Sequence, residues 1–324
     1  MAFLTKLNSN DIKKICLDYN IKKYKNLIPI YEGIQNSNYI IIGEKKYILT
    51  IFEDKEVIKN LSQYFKLMIF LKNKKFSCPV PIYSKNLSHI SIYKKKKYAI
   101  LTFLKGKHLK KHNLKQFLEI GNRLALLHKL TINNSIKISN NFNYKFFNYN
   151  MEKYKNNIIK YNKGLYKDFK FIINEYKKHS NSKIPKGLIH GDLFPDNVLF
   201  YKGKISGFID FYYACNNHLI NDLAIVIISW CFNKKSKNLK LNINRVKQIY
   251  KGYIKQRFIT IKELEILSLI CKIYCIRFYF TRLIDMHKNY DLTYTQIKNP
   301  NEYLDKFLYL ERNKTNFKDM LINE

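Results

Sequence analysis

The stretch Leu188-Ile189-His190-Gly191-Asp192-Leu193-Phe194-Pro195-Asp196-Asn197-Val198, followed by Asp210 thirteen residues after Asn197, decides how this chain is read. Moving a phosphoryl group requires a carboxylate beside the acceptor hydroxyl and hard oxygen ligands that hold magnesium against the phosphates. In that pattern Asp192 takes or orients the hydroxyl proton during attack on the γ-phosphate of ATP, and Asn197 and Asp210 bind Mg2+. Val198 to Tyr201 and Lys204 to Ile209 read as strands around a Lys202-Gly203 turn, so a hairpin returns Asp210 toward Asn197. His190 is expected to support the loop through a backbone hydrogen bond. A polar turn between strands also accommodates Asp and Asn without chemistry, but the apolar lead-in, the hairpin and the position of Asp210 favour the site.

Outward from this block, the first third of the chain reads as a small antiparallel lobe. Ile12, Ile15, Cys16 and Tyr19 recur at helical spacing, with Ser9 or Asn10 as the cap. Leu27 to Glu32, Asn38 to Gly43 and Lys46 to Phe52 form a meander, and Glu56 to Lys72 a helix packed on it. Further strands fall near Ile90 to Tyr93 and Tyr98 to Phe103, with a hinge at Leu104-Lys105-Gly106. Leu114 to Leu130 opens a larger, mainly helical lobe, while Asn133 to Tyr161 lacks clean periodicity and reads as a surface excursion. The expected division is a nucleotide-binding lobe over residues 1–104 and a catalytic and substrate lobe over 105–324. Asp222, opening the apolar run Leu223 to Phe232, is expected to cap its helix.

Composition bounds the alternatives. A hydrophobic fraction of 46% with 22 Phe and 26 Tyr supports a buried core despite a formal charge of +35. Such a charge suits nucleic acid, but only six of the 59 basic residues are Arg and the Lys are scattered, so no specific nucleic-acid partner is expected. Lys94 to Lys97, the single run of four, reads as a solvated turn. The six Cys show no framework or metal spacing beyond Cys271 and Cys275, which read as packing. The longest apolar run has ten residues, Leu223 to Phe232, about half a membrane span, and no export signal is read; a cytoplasmic protein with reduced thiols is expected.

With these residues in hand the chain resembles the aminoglycoside-phosphotransferase-like kinases and, more closely, the homoserine kinases of that superfamily. The likeness runs through Glu32-Gly33-Ile34-Gln35-Asn36-Ser37-Asn38-Tyr39, Tyr47 to Glu53, Leu101 to Gly106, the central block, Ile209 to Cys215, Asn221 to Ile225 and Arg277-Phe278 to Arg282-Leu283. The resemblance implies an α+β, bilobal, protein-kinase-like fold, ATP with Mg2+ as donor, and L-homoserine as acceptor, giving O-phosphohomoserine for threonine synthesis.

Nucleotide contacts are expected from Gly33, Asn36, Ser37 and Asn38, in a loop able to fold over phosphates, and from Phe103 at the hinge. Kinases of this architecture usually carry a strand-three cation where this chain has Thr50; period-2 alternation makes Lys46 its expected substitute, with Glu53 or Glu56 as partner. Tyr212, Arg277 and Arg282 are the expected substrate contacts, the arginines as partners for a carboxylate. Gly191 and Phe194 replace the Arg and Lys usual in protein kinases, and only eleven residues separate Asp210 from Asp222, so no activation loop fits. A small acceptor follows. Two other readings stand beside homoserine: another small alcohol of the choline, aminoglycoside or methylthio-sugar type, and a non-enzymatic RNA-binding protein.

Overall fold

The computed structural model describes residues 5–31, 36–179, 182–235, 238–287 and 298–322. Helix α1 (Ser9–Asp18) begins with a reciprocal capping box between Asn8 and Asp11, so its cap is one residue earlier than the sequence pattern placed it. Strands β1 (Asn26–Ile30), β2 (Asn36–Ile42) and β3 (Lys46–Phe52) lead to α2 (Lys55–Asn73), capped by Asp54, and then to β4 (Ser91–Tyr93) and β5 (Lys96–Thr102). All pair antiparallel in the order β1-β2-β3-β5-β4.

Alternation along these strands sends side chains to two different places. Tyr39, Ile41, Leu49 and Ile51 pack with Ile12, Ile15 and Cys16 of α1 on one face. Phe52, on the other face, joins Val57, Leu61 and Phe65 of α2 in the main core that continues into the second lobe. The lysine run is not simply solvated. Lys94 and Lys95 make the β4–β5 turn, but Lys94 pairs with Asp11 and Lys96 with Glu53.

The larger lobe begins with α3 (Leu114–Thr131) and continues through α4 (Tyr144–Lys153), α5 (Lys155–Tyr161) and α6 (Leu165–His179). The segment read as a surface excursion therefore supplies two helices, and Phe147, Met151, Tyr154 and Ile158 lie in the core. Their helical spacing is obscured by the break at Tyr154 and by Asn, Lys and Tyr on the outer faces. Next come β6 (Lys186–Ile189), β7 (Val198–Tyr201), β8 (Lys204–Phe208), β9 (Cys215–His218), α7 (Ile220–Trp230), the hairpin β10 (Phe232–Lys235) and β11 (Asn238–Leu241), α8 (Ile243–Ile254), α9 (Ile261–Met286), α10 (Asn301–Arg312) and α11 (Phe317–Ile322).

Helices α3 and α8 approach closely because each offers a glycine. A Cβ on Gly121 would stand 1.9 Å from the Ile249 carbonyl oxygen, and one on Gly252 1.9 Å from that of Leu118. Helix α9 lies at the centre of this lobe: fifteen of its residues from Glu263 to Leu283 are buried, Arg277 among them. Cys271 and Cys275 are both buried on it, as packing residues.

Candidate active site

The central loop leaves β6 at Ile189 and enters β7 at Val198, and every turn of it is held by a named contact. Asn197 donates its side-chain amide to the Asp192 carbonyl (2.7 Å) and to Asp192 Oδ2 (3.3 Å), while its own carbonyl accepts from Ile209 N at 3.0 Å. The β7–β8 hairpin thus brings the residue before Asp210 onto Asn197. His190 spans the same gap, its Nε2 donating to the Ile209 carbonyl (2.9 Å) and its Nδ1 accepting from Asp192 N (3.3 Å). Those partners fix one neutral tautomer, in keeping with burial that pushes the imidazole pKa down. Gly191 sits at φ +76°, and a Cβ there would lie 2.3 Å from the Tyr213 carbonyl oxygen, so no other residue fits.

Three buried side chains, Asp222, Arg277 and Trp230, grip this loop from behind. Asp222 accepts from His190 N (2.7 Å) and Gly191 N (2.8 Å) and meets His128 Nε2 at 3.1 Å; His128 Nδ1 in turn reaches the Tyr253 hydroxyl at 2.6 Å. Helix α7 begins at Ile220 with Leu219 as its cap residue. Asp222 therefore satisfies backbone amides of the loop, not of its own helix as expected from sequence. Burial opposes its charge, yet His128, His190 and the Gly191 amide together hold its pKa below the ordinary carboxylate value. Arg277, 2% exposed, donates to the Gly191 carbonyl (2.5 Å), stands 3.9 Å from Asp192 Oδ1, and lies 3.8 Å over the Phe142 ring. Trp230 donates its indole N–H to the Leu193 carbonyl at 2.9 Å.

Electrostatics single out the two aspartates. Burial pushes Asp192 up to about 7, with Arg277 opposing and Asp210 adding to the rise. Burial, aided by Asp196, pushes Asp210 up to about 6. Asp210 has left-handed backbone angles (φ +63°, ψ +61°), and its Oδ1 is buried without a hydrogen-bond partner among the described residues. Strained, unsatisfied carboxylates of this kind belong to sites that expect a cation. A hard divalent ion fits the donor set: a carboxylate oxygen left open on Asp210 and the amide oxygen of Asn197, whose nitrogen is already engaged.

Across from this loop the sheet presents Asn38, Thr50 and Phe52. Thr50 Oγ1 donates to Asn38 Oδ1 at 2.8 Å, and Asn36 Oδ1 accepts from Glu53 N at 3.4 Å. Tyr212 is buried, its ring packed edge-on against Phe52 (5.4 Å) and Tyr64 (5.9 Å), its hydroxyl facing Thr50; burial and the Asp210 charge push its pKa up. Ser37 lies on the opposite face, donating to Glu53 Oε1 (2.9 Å) and accepting from Thr5 N (2.9 Å), so its side chain points away from the cleft. Gly33 lies outside the described residues.

Lys46 shares the face of Thr50 but pairs in register with Ile42, at the far end of β3 from Asn36. Thr50 is four steps along the strand from it, about 13 Å, beyond the reach of a lysine side chain. Its ammonium sits over Phe103 instead, 5.5 Å from the ring centre. Neither expected acidic partner is its own: Glu53 pairs with Lys96 and Glu56 with Lys59.

Arg282 also departs from expectation. It faces α10, donating to the Asn299 carbonyl (2.7 Å) and Glu302 Oε2 (2.8 Å). Five residues from Arg277 on one helix, it points away from the loop that Arg277 holds. Sequence reasoning passed over His128, Trp230 and Lys298. His128 carried a signal as a titratable residue on the buried face of α3, and Trp230 one through the family likeness around Ser229 to Phe232.

Residues 26–239 match the sequence profile of the phosphotransferase enzyme family. The homoserine kinase of Agrobacterium fabrum is 31% identical over 310 residues, covering 95% of both chains. That of Sinorhizobium medicae is 30% identical over 310 residues, 95% of this chain and 94% of its own. Among solved structures, an amicoumacin kinase in complex with AMP-PNP, Ca2+ and Ami superposes with a TM-score of 0.72 at 16% identity, covering 96% of this chain and 95% of that one. A choline kinase from Cryptosporidium parvum gives 0.62 at 16% identity, with 95% and 97% covered. At these identities the structural likeness speaks for the fold: an antiparallel sheet lobe joined to a larger helical one.

Proposed function

Because the chain belongs to the phosphotransferase enzyme family, and is thus an enzyme that phosphorylates an alcohol, we propose that it transfers the γ-phosphoryl group of ATP to the side-chain hydroxyl of L-homoserine. The product is O-phospho-L-homoserine, for threonine biosynthesis. The convergence of Asp192, Asn197 and Asp210 through the Asn197–Ile209 contact carries the reaction type. The acceptor rests on homoserine kinases 30–31% identical over 95% of the chain. Family membership removes the non-enzymatic RNA-binding reading.

In this reading Asp192 orients the homoserine hydroxyl and takes its proton as the bond to phosphorus forms. Asn197 and Asp210 hold Mg2+, which neutralises charge on the phosphates when bound. Asp222 and Arg277 fix the loop backbone on either side of Gly191, so that Asp192 meets the acceptor without reorganisation. Asn36 and Asn38, on the cleft side of the sheet, and Phe103 border the nucleotide. Thr50 occupies the place of the strand-three cation.

The structural neighbours include a choline kinase, which keeps a second reading in play, a different small alcohol as acceptor. A coupled assay of ADP release across homoserine, choline, an aminoglycoside and a methylthio-sugar decides between them. Homoserine-dependent release that disappears in Asp192→Asn supports the proposal; turnover of another alcohol with none of homoserine sinks it.

A further inference from the structure

Two cations lie against the loop that carries Asp192, and they differ in what they are free to do. Arg277 is buried under aromatic rings and committed to the Gly191 carbonyl. Lys298, from the segment that leads into α10, is the other. Its ammonium stands 2.7 Å from Asp196 Oδ2 and 5.5 Å from the centre of the Phe194 ring, so it lies over the central loop between Asp192 and Asn197. The side chain is 57% exposed and that of Asp196 54%. An exposed ion pair of this kind contributes roughly 0–1 kcal/mol, which makes stability a poor reason for the arrangement.

The backbone beside Lys298 is nevertheless held. Arg282 donates to the carbonyl of Asn299, the next residue, and is itself anchored on Glu302, which Lys306 also grips at 2.6 Å. Arg282 thereby acquires a purpose that its distance from the loop denied it as a substrate contact. It anchors the residue next to Lys298 while leaving the ammonium accessible. Lys298 meets the loop at Asp196 and Phe194, and an ammonium with three donors can keep Asp196 and still take an anionic ligand.

Building on the homoserine reading above, we propose that Lys298 recognises the carboxylate of the acceptor, with Arg282 as the positioning residue that fixes the backbone beside it. Phe194, where protein kinases carry a cation, instead provides the apolar floor under the lysine stem.

The test is steady-state kinetics of the wild-type enzyme and Lys298→Met, a surface change that keeps the stem, with L-homoserine and with L-homoserine amide, which retains hydroxyl and ammonium but not the carboxylate charge. Loss of one charge-assisted contact predicts a KM for homoserine raised about tenfold or more, kcat within about threefold, and a KM for the amide changed less than about twofold. Arg282→Gln should move KM for homoserine the same way by a smaller factor and leave the amide unaffected. Equal losses on both acceptors, or a fall confined to kcat, overturn the assignment and point to the transferring phosphoryl group or to loop support. A wild-type enzyme that phosphorylates only acceptors lacking a carboxylate overturns the homoserine reading and the Lys298 assignment together; wild-type turnover of homoserine with unchanged Lys298→Met kinetics overturns the latter alone.

Discussion

The two walls of the cleft are built by different means. On the helical side, the loop from His190 to Asn197 is held by contacts from distant elements: Asp222 from α7, Arg277 from α9, Trp230, and the Ile209 backbone. On the sheet side, what faces the cleft follows from strand alternation and two side-chain contacts, Thr50 to Asn38 and Glu53 N to Asn36. The first wall is over-determined and charged; the second is neutral and lightly constrained. Rigidity is concentrated where the reacting atoms are expected, as preorganisation requires.

The sharpest break of that contrast is Asp192→Asn. Loss of a proton acceptor should lower kcat by about 10²–10⁴-fold. Stability should move the other way. The folded pKa of Asp192, pushed up to about 7, lies above the ordinary carboxylate value of 3.8, so the wild-type protein without metal or nucleotide loses stability as pH rises through 7. Asp192→Asn should therefore melt higher than wild type at pH 8, with the gap closing toward pH 4. A variant that melts lower at pH 8 would show that the carboxylate stabilises the apo fold.

Next in size is Asp222→Asn. An amide would set an N–H donor against one of the two backbone N–H groups that the carboxylate now accepts, leaving a buried donor unpaired. A destabilisation of about 2–4 kcal/mol, with kcat down at least about tenfold, is expected from denaturant melts and initial rates. Unchanged kcat in the folded variant would show that the loop holds itself.

The sheet wall should respond less. Thr50→Val removes the donor to Asn38 at a cost of about 1 kcal/mol, with KM for ATP raised by less than about fivefold. Lys46→Met, at the exposed end of β3, should change KM for ATP by less than about threefold. A tenfold rise there would restore the lysine as a phosphate contact and undo the contrast.

Legibility divides along the same line. The meander, α2 and the β7–β8 hairpin announced themselves because period-2 and period-3.6 patterns and a Lys-Gly turn are local properties of the chain. Alternation also allowed Lys46 and Thr50 to be placed on one face, yet it could not say how far along the strand the phosphates lie. Ser37 fell to the same alternation, which was available for it and not applied. Helices α4 and α5 went unread because the break at Tyr154 interrupts their apolar spacing. Arg277 and Arg282 looked equivalent, five residues apart on one apolar helix, and only packing assigns one to Gly191 and the other to Asn299.

The sequence by itself determined that Asp192, Asn197 and Asp210 come together, because they lie on a loop and hairpin short enough for local geometry to join them. The grip on that loop was decided by tertiary structure alone. Asp222, Arg277 and Lys298 touch it from 31, 86 and 102 positions away along the chain, and His128 backs Asp222 from 94; a contact across such separation is set by how helices pack, not by any pattern along them.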